Sequence, residues 1–183
     1  MKIIILLFIS SSLFCQIYEL PAEKGLKEES LKKALTYEGV KEITNNSSPE
    51  IDAFLASVGL KPGNPWCAAF RYYCLASIAN GRKIPILKSG LCAAIFQDAK
   101  KRGVKVKSDY QKYDQIFWNK KGTISGHTGV IDSVLDRKGN VITLEGNTGN
   151  KNQREGDCVT KKTRNLKCLL GRLSVQGAIR LKD

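Results

Sequence analysis

Apolar residues recur at helical spacing through the first half of the chain and in short alternating runs through the second. Leu26, Leu31, Ala34 and Leu35 stand among Lys and Glu, which predicts a helix over 26–38 ended by Gly39. Ser48 followed by Pro49 reads as an N-cap with a first-turn proline. The helix it opens carries Ile51, Phe54, Leu55 and Val58 on one face and stops at Gly59. After the breaker-rich loop Lys61-Pro62-Gly63-Asn64-Pro65, a third helix is predicted from Trp66-Cys67 to about Ala79. A fourth covers Leu91–Lys101. From there the texture changes to short strand-like runs separated by Gly, Asn and Asp: Val104 and Val106, Gln115–Trp118, Gly126–Val134, Val141–Leu144, Val159–Lys162, Leu169–Leu173 and Ala178–Leu181. Helices first and strands afterwards predict an α+β fold with the helices packed on an antiparallel sheet. No repeat, low-complexity stretch or linker interrupts residues 16–183, so they read as a single domain.

The start of the chain has a different pattern. Met1-Lys2 leads into Ile3–Ile9, all apolar, and then Ser10-Ser11-Ser12. A basic residue, a short apolar run and small residues resemble a secretory signal, so residues 1–15 are expected to be a signal peptide and the protein secreted or periplasmic. A buried N-terminal strand is the competing reading. The run falls short of the ~20 residues that span a bilayer. Bulky Leu13 and Phe14 before Cys15 argue against a lipid anchor on that cysteine.

The chain has 183 residues, with 42% apolar and 26% charged residues, an ordinary globular composition that argues against disorder, collagen and coiled coil. Lys and Arg total 30 against 17 Asp and Glu, a formal charge of +13. A field of that sign favours polyanions such as nucleic acid, an anionic membrane or an acidic cell-wall polymer. No nucleic-acid-binding motif accompanies the charge, and export argues against such a partner. The single histidine, His127, rules out a multi-histidine metal site, and no Cys-x-x-Cys pair suggests zinc. No cofactor or metal is therefore expected.

Six cysteines are present, and five remain once Cys15 leaves with the leader. An odd number in an exported protein leaves at least one thiol unpaired or reactive. Folding the chain about Thr163 sets Cys158 opposite Cys168, which predicts a disulfide across a hairpin of Val159–Lys162 and Leu169–Leu173. Cys74 with Cys92, on neighbouring helices, is the weaker second pair. Cys67 is a poor partner for Cys74, since seven helical residues separate them by ~10 Å.

Cys67 follows a rigid loop and opens a helix, where unpaired N–H groups and the helix dipole favour a thiolate. Small Ala68 and Ala69 leave room beside the sulfur, and the first-turn N–H groups suit an acyl oxyanion. Taken alone, the same position suits a buried cysteine that anchors the helix. His127 begins a strand between Gly126 and Gly129, and a cysteine nucleophile needs such an imidazole; alone it is also an ordinary solvated loop histidine. Glu145 and Asn147 end a strand two residues apart, on one face, so both are candidates to orient the imidazole. Glu145 is the expected direct partner, because a carboxylate stabilises imidazolium more strongly than an amide. A plain polar strand end is the alternative.

Pro62-Gly63-Asn64-Pro65-Trp66-Cys67-Ala68-Ala69-Phe70, then Gly126-His127-Thr128-Gly129-Val130, then Glu145-Gly146-Asn147-Thr148 resemble the CHAP family of cysteine, histidine-dependent amidohydrolases and peptidases. The resemblance covers about residues 26–183 and implies a papain-like, NlpC/P60-like core. It implies Cys67 as nucleophile, His127 as base, Glu145 as the carboxylate that orients it and Asn147 as a further polar member, with no metal in the chemistry. The implied substrate is peptidoglycan, cut at an amide by a thiol amidase or endopeptidase through an acyl-enzyme. Two positions depart from the pattern: Tyr113-Asp114 stands for the usual Gly-Asp, and Arg71 stands where an apolar residue is commoner. Two other functions use the same features: a toxin-like secreted effector acting as deamidase or transacylase on a protein, and a non-catalytic wall-binding module.

Overall fold

In a computed structural model, residues 16–149 and 156–183 are described. The leader expected at residues 1–15 lies outside them. Four helices and seven strands follow in chain order: β1 (Ile17–Pro21), α1 (Leu26–Leu35), α2 (Pro49–Ser57), α3 (Cys67–Ala76), α4 (Cys92–Arg102), β2 (Val104–Val106), β3 (Gln115–Asn119), β4 (Gly126–Val134), β5 (Asn140–Thr148), β6 (Cys158–Asn165) and β7 (Ser174–Lys182). The class is α+β, as the pattern predicts.

The helix starts follow local chemistry. Ser48 accepts the Ile51 N–H at 3.3 Å, and Pro49 occupies the first turn of α2, where no amide proton is needed. The first and third helices end earlier than expected, at Leu35 and Ala76, each continuing as turns.

The strands form one sheet in the order β2-β1-β7-β3-β4-β5-β6. It is mixed rather than antiparallel throughout, because β1 runs parallel to β7, with Ile17 beside Ala178 and Leu20 beside Leu181. The strand expectation omits β1. Its three buried residues divide between two faces: Tyr18 and Leu20 pack toward α4, and Ile17 joins the opposite core. A strand buried on both sides has no apolar-polar alternation to betray it.

The helices cover one face of the sheet. Ile95, Phe96 and Ala99 of α4 pack on Tyr18, Phe117 and Ile179. Phe54 of α2 and Trp66 and Phe70 around α3 pack on Val130, Leu144 and Val159, with the Phe54 and Phe70 rings 5.1 Å apart. Each such side chain contributes about 1.5–3 kcal/mol on burial. Gly146 belongs to this packing: a Cβ there would sit 2.7 Å from the Trp66 ring. On the other face Ile116, Trp118, Ile131 and Val141 lie under Leu166, Leu170 and Leu173. Arg71, on α3, is buried and bonds Ser30 at 3.4 Å, while its Nε and Nη1 find no partner among the described residues. Asp114 is buried under a two-pronged contact from Arg180, at 2.8 and 2.7 Å.

The expected disulfides are absent. None of the five described cysteines is in a disulfide. Residues 163–166 do not supply the expected turn; β6 continues to Asn165 and pairs with β5 instead. Eight residues of strand at about 3.3 Å each carry the chain some 25 Å from Cys158 before Cys168 is reached. Cys158 is buried and donates to the Thr148 carbonyl at 3.1 Å, while Cys168 is exposed. Leu169–Leu173 is a turn closed by a bridge between Leu170 and Leu173, not a strand. Cys74 lies in the aromatic core around Phe54, and Cys92 faces Cys67 instead.

Candidate active site

The site forms where the helix layer meets the far face of the sheet. Along β4, Thr128 alternates with its neighbours, so His127, Gly129 and Ile131 share the face away from α2 and α3. Thr143 and Glu145 of β5 and Arg164 of β6 point to that same face, since Leu144 and Val159 point to the other. Cys67, at the first residue of α3, reaches His127 at the start of β4.

His127 is buried, and its ring lies 5.9 Å from that of Trp118 across the β3–β4 pair. Its Nε2 meets Glu145 Oε2 at 2.8 Å. That commits one ring nitrogen to the carboxylate and turns Nδ1 to the Cys67 thiol, with which the ring is hydrogen-bonded. Gly129 makes this approach possible: a Cβ there would stand 2.6 Å from Glu145 Cγ.

Glu145 is fully enclosed, and four donors satisfy it. Arg164 donates from Nε to Oε1 at 2.7 Å and from Nη2 to Oε2 at 2.6 Å. The Thr143 hydroxyl donates to Oε1 at 2.5 Å, and His127 supplies the fourth contact. Burial alone would raise the pKa of this carboxyl, but Arg164 and His127 outweigh it and bring it to about 2. On His127, burial pulls downward, and the bonds to Cys67 and Glu145 outweigh it and lift the imidazolium to about 9. Cys67 is held well below the ordinary thiol range. Its contact with the Cys92 thiol acts most strongly, burial opposes it, and the His127 ring and the Thr128 N–H add to it. Thiolate, imidazolium, carboxylate and guanidinium thus alternate in sign along one buried chain of contacts. Cys74 is the contrast: burial pushes its thiol up to about 12.

Asn147 is placed differently from the expectation that it shares Glu145's orientation. The β5–β6 register shifts between Glu145 and Thr148, and Asn147 sits at φ 54°. The irregular backbone breaks the two-residue alternation. With its amide oriented by its partners, Asn147 Nδ2 donates to the Gly156 carbonyl at 2.7 Å, and Oδ1 accepts the Trp66 N–H at 3.2 Å. It ties the end of β5 to the residue before Cys67, and its contacts are with backbone rather than with the imidazole.

Three participants escape a reading of the sequence. Arg164 falls within the expected turn, Thr143 is one strand threonine among several, and Cys92 is assigned to Cys74. Only the register of β6 on β5, which sets Arg164 beside Val141, brings that guanidinium under Glu145.

A cleft of about 190 Å³ opens on Cys67 and His127, with Pro65, Cys92, Gly126 and Asn147 in its walls. A larger cavity of about 820 Å³ lies on the far face beside Leu166 and Leu169 and touches none of the four buried charged groups. Among the described residues, no group of three His, Cys, Asp or Glu is arranged to hold a metal ion, and no helix is long and apolar enough to cross a membrane.

A thiolate beside an imidazolium, at a helix start with unpaired N–H groups, has the equipment for acyl transfer from an amide. No curated protein and no solved structure matches the chain. Residues 59–147, which hold Cys67, His127, Glu145 and Asn147, match the family model of the CHAP domain, and over that stretch the chain is similar to that family of amidases and peptidases of the peptidoglycan-hydrolase type.

Proposed function

We propose that the protein is a secreted or periplasmic peptidoglycan hydrolase, a thiol amidase or endopeptidase with a papain-like core that cuts an amide of the cell wall. The observation that carries this reading is the Cys67–His127 contact, with His127 Nε2 held at 2.8 Å by Glu145. The Cys67 thiolate attacks the amide carbonyl carbon, and a C–S bond forms. The oxyanion is met by N–H groups of the first turn of α3; the first helical bond there is Phe70 N–H to Trp66 O, which leaves the N–H groups of Cys67, Ala68 and Ala69 outside the helical ladder. His127 gives its proton to the departing nitrogen, and the C–N bond breaks. Neutral His127 then takes a proton from water, which attacks the thioester; the C–S bond breaks, and the Cys67–His127 ion pair is restored. Glu145 stabilises the imidazolium in both halves, and Arg164 keeps Glu145 ionised and fixed. The basic surface suits an anionic wall polymer.

Digestion of purified peptidoglycan, with mass spectrometry of the soluble fragments, tests the reading and identifies the bond cut. New amine and carboxyl ends are expected with the native protein and not with Cys67→Ala. Iodoacetamide is expected to label Cys67 before any other cysteine near neutral pH. A Cys67→Ala protein that releases fragments at the native rate would refute the thiol mechanism.

A further inference from the structure

One cleft-lining thiol takes no covalent part in the mechanism. Cys92 Sγ lies 3.7 Å from Cys67 Sγ, in van der Waals contact. Each cysteine is the first residue of its helix, α3 and α4, so the two helix starts converge on one point. Both side chains are nearly buried yet form part of the wall of the same cleft as His127. The approach is built into the backbone. Gly126, next to His127, would carry a Cβ 3.1 Å from Cys92 Cβ, closer than nearly all side-chain contacts. A larger residue there would press on Cys92 and on the Trp118 carbonyl. The other cysteines have no such neighbour: Cys74 is sealed in the aromatic core, Cys158 is bonded to the Thr148 carbonyl, and Cys168 is exposed beyond β6.

We propose that Cys67 and Cys92 are a redox modification site, in which Cys92 resolves a peroxide-oxidised Cys67 into a reversible disulfide that switches the hydrolase off. The proposal rests on the reading of Cys67 as the reactive thiolate. In the first step the Cys67 thiolate attacks a hydroperoxide. The O–O bond breaks, sulfur loses two electrons, and Cys67 becomes a sulfenic acid while the other oxygen leaves as alkoxide or hydroxide and is protonated. In the second step the Cys92 thiol attacks that sulfur. The S–O bond breaks, hydroxide leaves and takes up the Cys92 proton as water, and the S–S bond forms. The sulfurs close from 3.7 Å to the ~2.05 Å of a disulfide, a shift of about 1.7 Å shared between two side chains at helix ends. The nucleophile is then consumed and His127 has no thiolate to pair with. An external dithiol returns two electrons and restores both thiols. Without Cys92, the sulfenic acid persists and a second peroxide carries it to the irreversible sulfinic acid.

The test treats the folded full chain with a small excess of hydrogen peroxide and maps its peptides without reduction. The expected result is a Cys67–Cys92 linked peptide, loss of peptidoglycan hydrolysis by at least tenfold, and recovery with dithiothreitol. Cys92→Ala treated in parallel is expected to gain two oxygens on Cys67 and not to regain activity. Wild-type protein that carries sulfinic acid on Cys67 with no linked peptide, or that leaves both thiols unoxidised, overturns the switch. Peptide mapping reads the disulfide whether or not peptidoglycan is the substrate. A linked peptide in a protein that cuts no peptidoglycan would therefore sink the proposed substrate and leave the redox site standing.

Discussion

Replacing Glu145 by Gln removes one negative charge and turns one of its two oxygens into a donor. The carboxylate accepts from Thr143, from Arg164 Nε, from Arg164 Nη2 and from His127. An amide keeps one oxygen and sets its NH₂ against N–H groups that need an acceptor. Arg164, itself buried, is then a guanidinium with no counter-ion among the described residues of that pocket. Breaking a buried pair in this way costs roughly 3–5 kcal/mol, a large share of the ~5–15 kcal/mol that stabilises a domain. For a chain of this length that is a fall of about 6–20 °C in Tm. Activity drops independently, because the imidazolium loses its partner; the loss extends to roughly 10⁴-fold, and Asn147→Ala, whose contacts are with backbone, costs less. The double variant Glu145→Gln/Arg164→Met separates the two effects. Met fills the guanidinium's space without charge, so stability returns to within about 1–2 kcal/mol of the native chain, while activity stays lost. Thermal unfolding by circular dichroism gives the first quantity and clearance of a peptidoglycan suspension the second. A Glu145→Gln protein with native Tm and activity within tenfold of native would refute the role of the carboxylate. A double variant no more stable than the single would refute the coupling to Arg164.

The pH dependence follows from the same charges. Glu145, lowered to about 2, contributes stability that is complete above its ordinary value of ~4.3 and is lost as pH falls toward 2, so acid unfolding in that window is expected to disappear in the double variant. His127, raised to about 9, contributes stability that is complete below ~6.5 and is lost as pH rises through 9, while the lowered Cys67 contributes in the opposite sense up to ~8.5. The two offset each other in proton count, so stability is expected to be nearly flat from about 6.5 to 8.5, whereas kcat/KM falls on an alkaline limb near 9 where His127 loses its proton; a limb near 6.5 would contradict a raised imidazolium. Gly129→Ala is expected to push Glu145 off His127, since the added Cβ lies 2.6 Å from Glu145 Cγ, and to lower activity by more than its small change in side-chain volume would suggest; native turnover and a native pH limb in this variant would count against the close approach.

The readable parts of this protein are those that local spacing determines. A Ser-Pro pair caps α2 whatever surrounds it, a glycine-bounded apolar alternation makes β4, and loop residues before Trp66 deliver Cys67 to a helix start. Cys67, His127 and Glu145 stand in the order and on the elements their motifs suggest, and the structure brings them into contact. The expectation fails where the answer depends on which strand lies beside which. β6 runs through the point where a hairpin turn is expected, because β5 offers it a ladder from Asn140 to Glu145, and that choice separates Cys158 from Cys168 while carrying Arg164 under Glu145. β1 is hidden by burial on both faces, and Asn147 by a register shift of the kind that no alternation rule foresees.

The two residues that most alter the chemistry, Arg164 and Cys92, share this origin. Neither adjoins a motif: Arg164 lies 19 residues from Glu145 and Cys92 lies 25 from Cys67. Each is nonetheless required by charge or by contact. A carboxylate sealed from water needs more than one imidazolium that shares its charge with a thiolate to remain ionised, and the buried guanidinium supplies the further positive charge. A thiolate at a helix start is steadied by donors besides its imidazole, and the strongest of them here is another thiol. Using a thiol as that donor exposes the site to oxidation, because the atom that steadies the nucleophile is also placed to capture it. Substituting Cys92 by Ser separates the two roles: the hydroxyl can still donate to Cys67 but cannot form a disulfide.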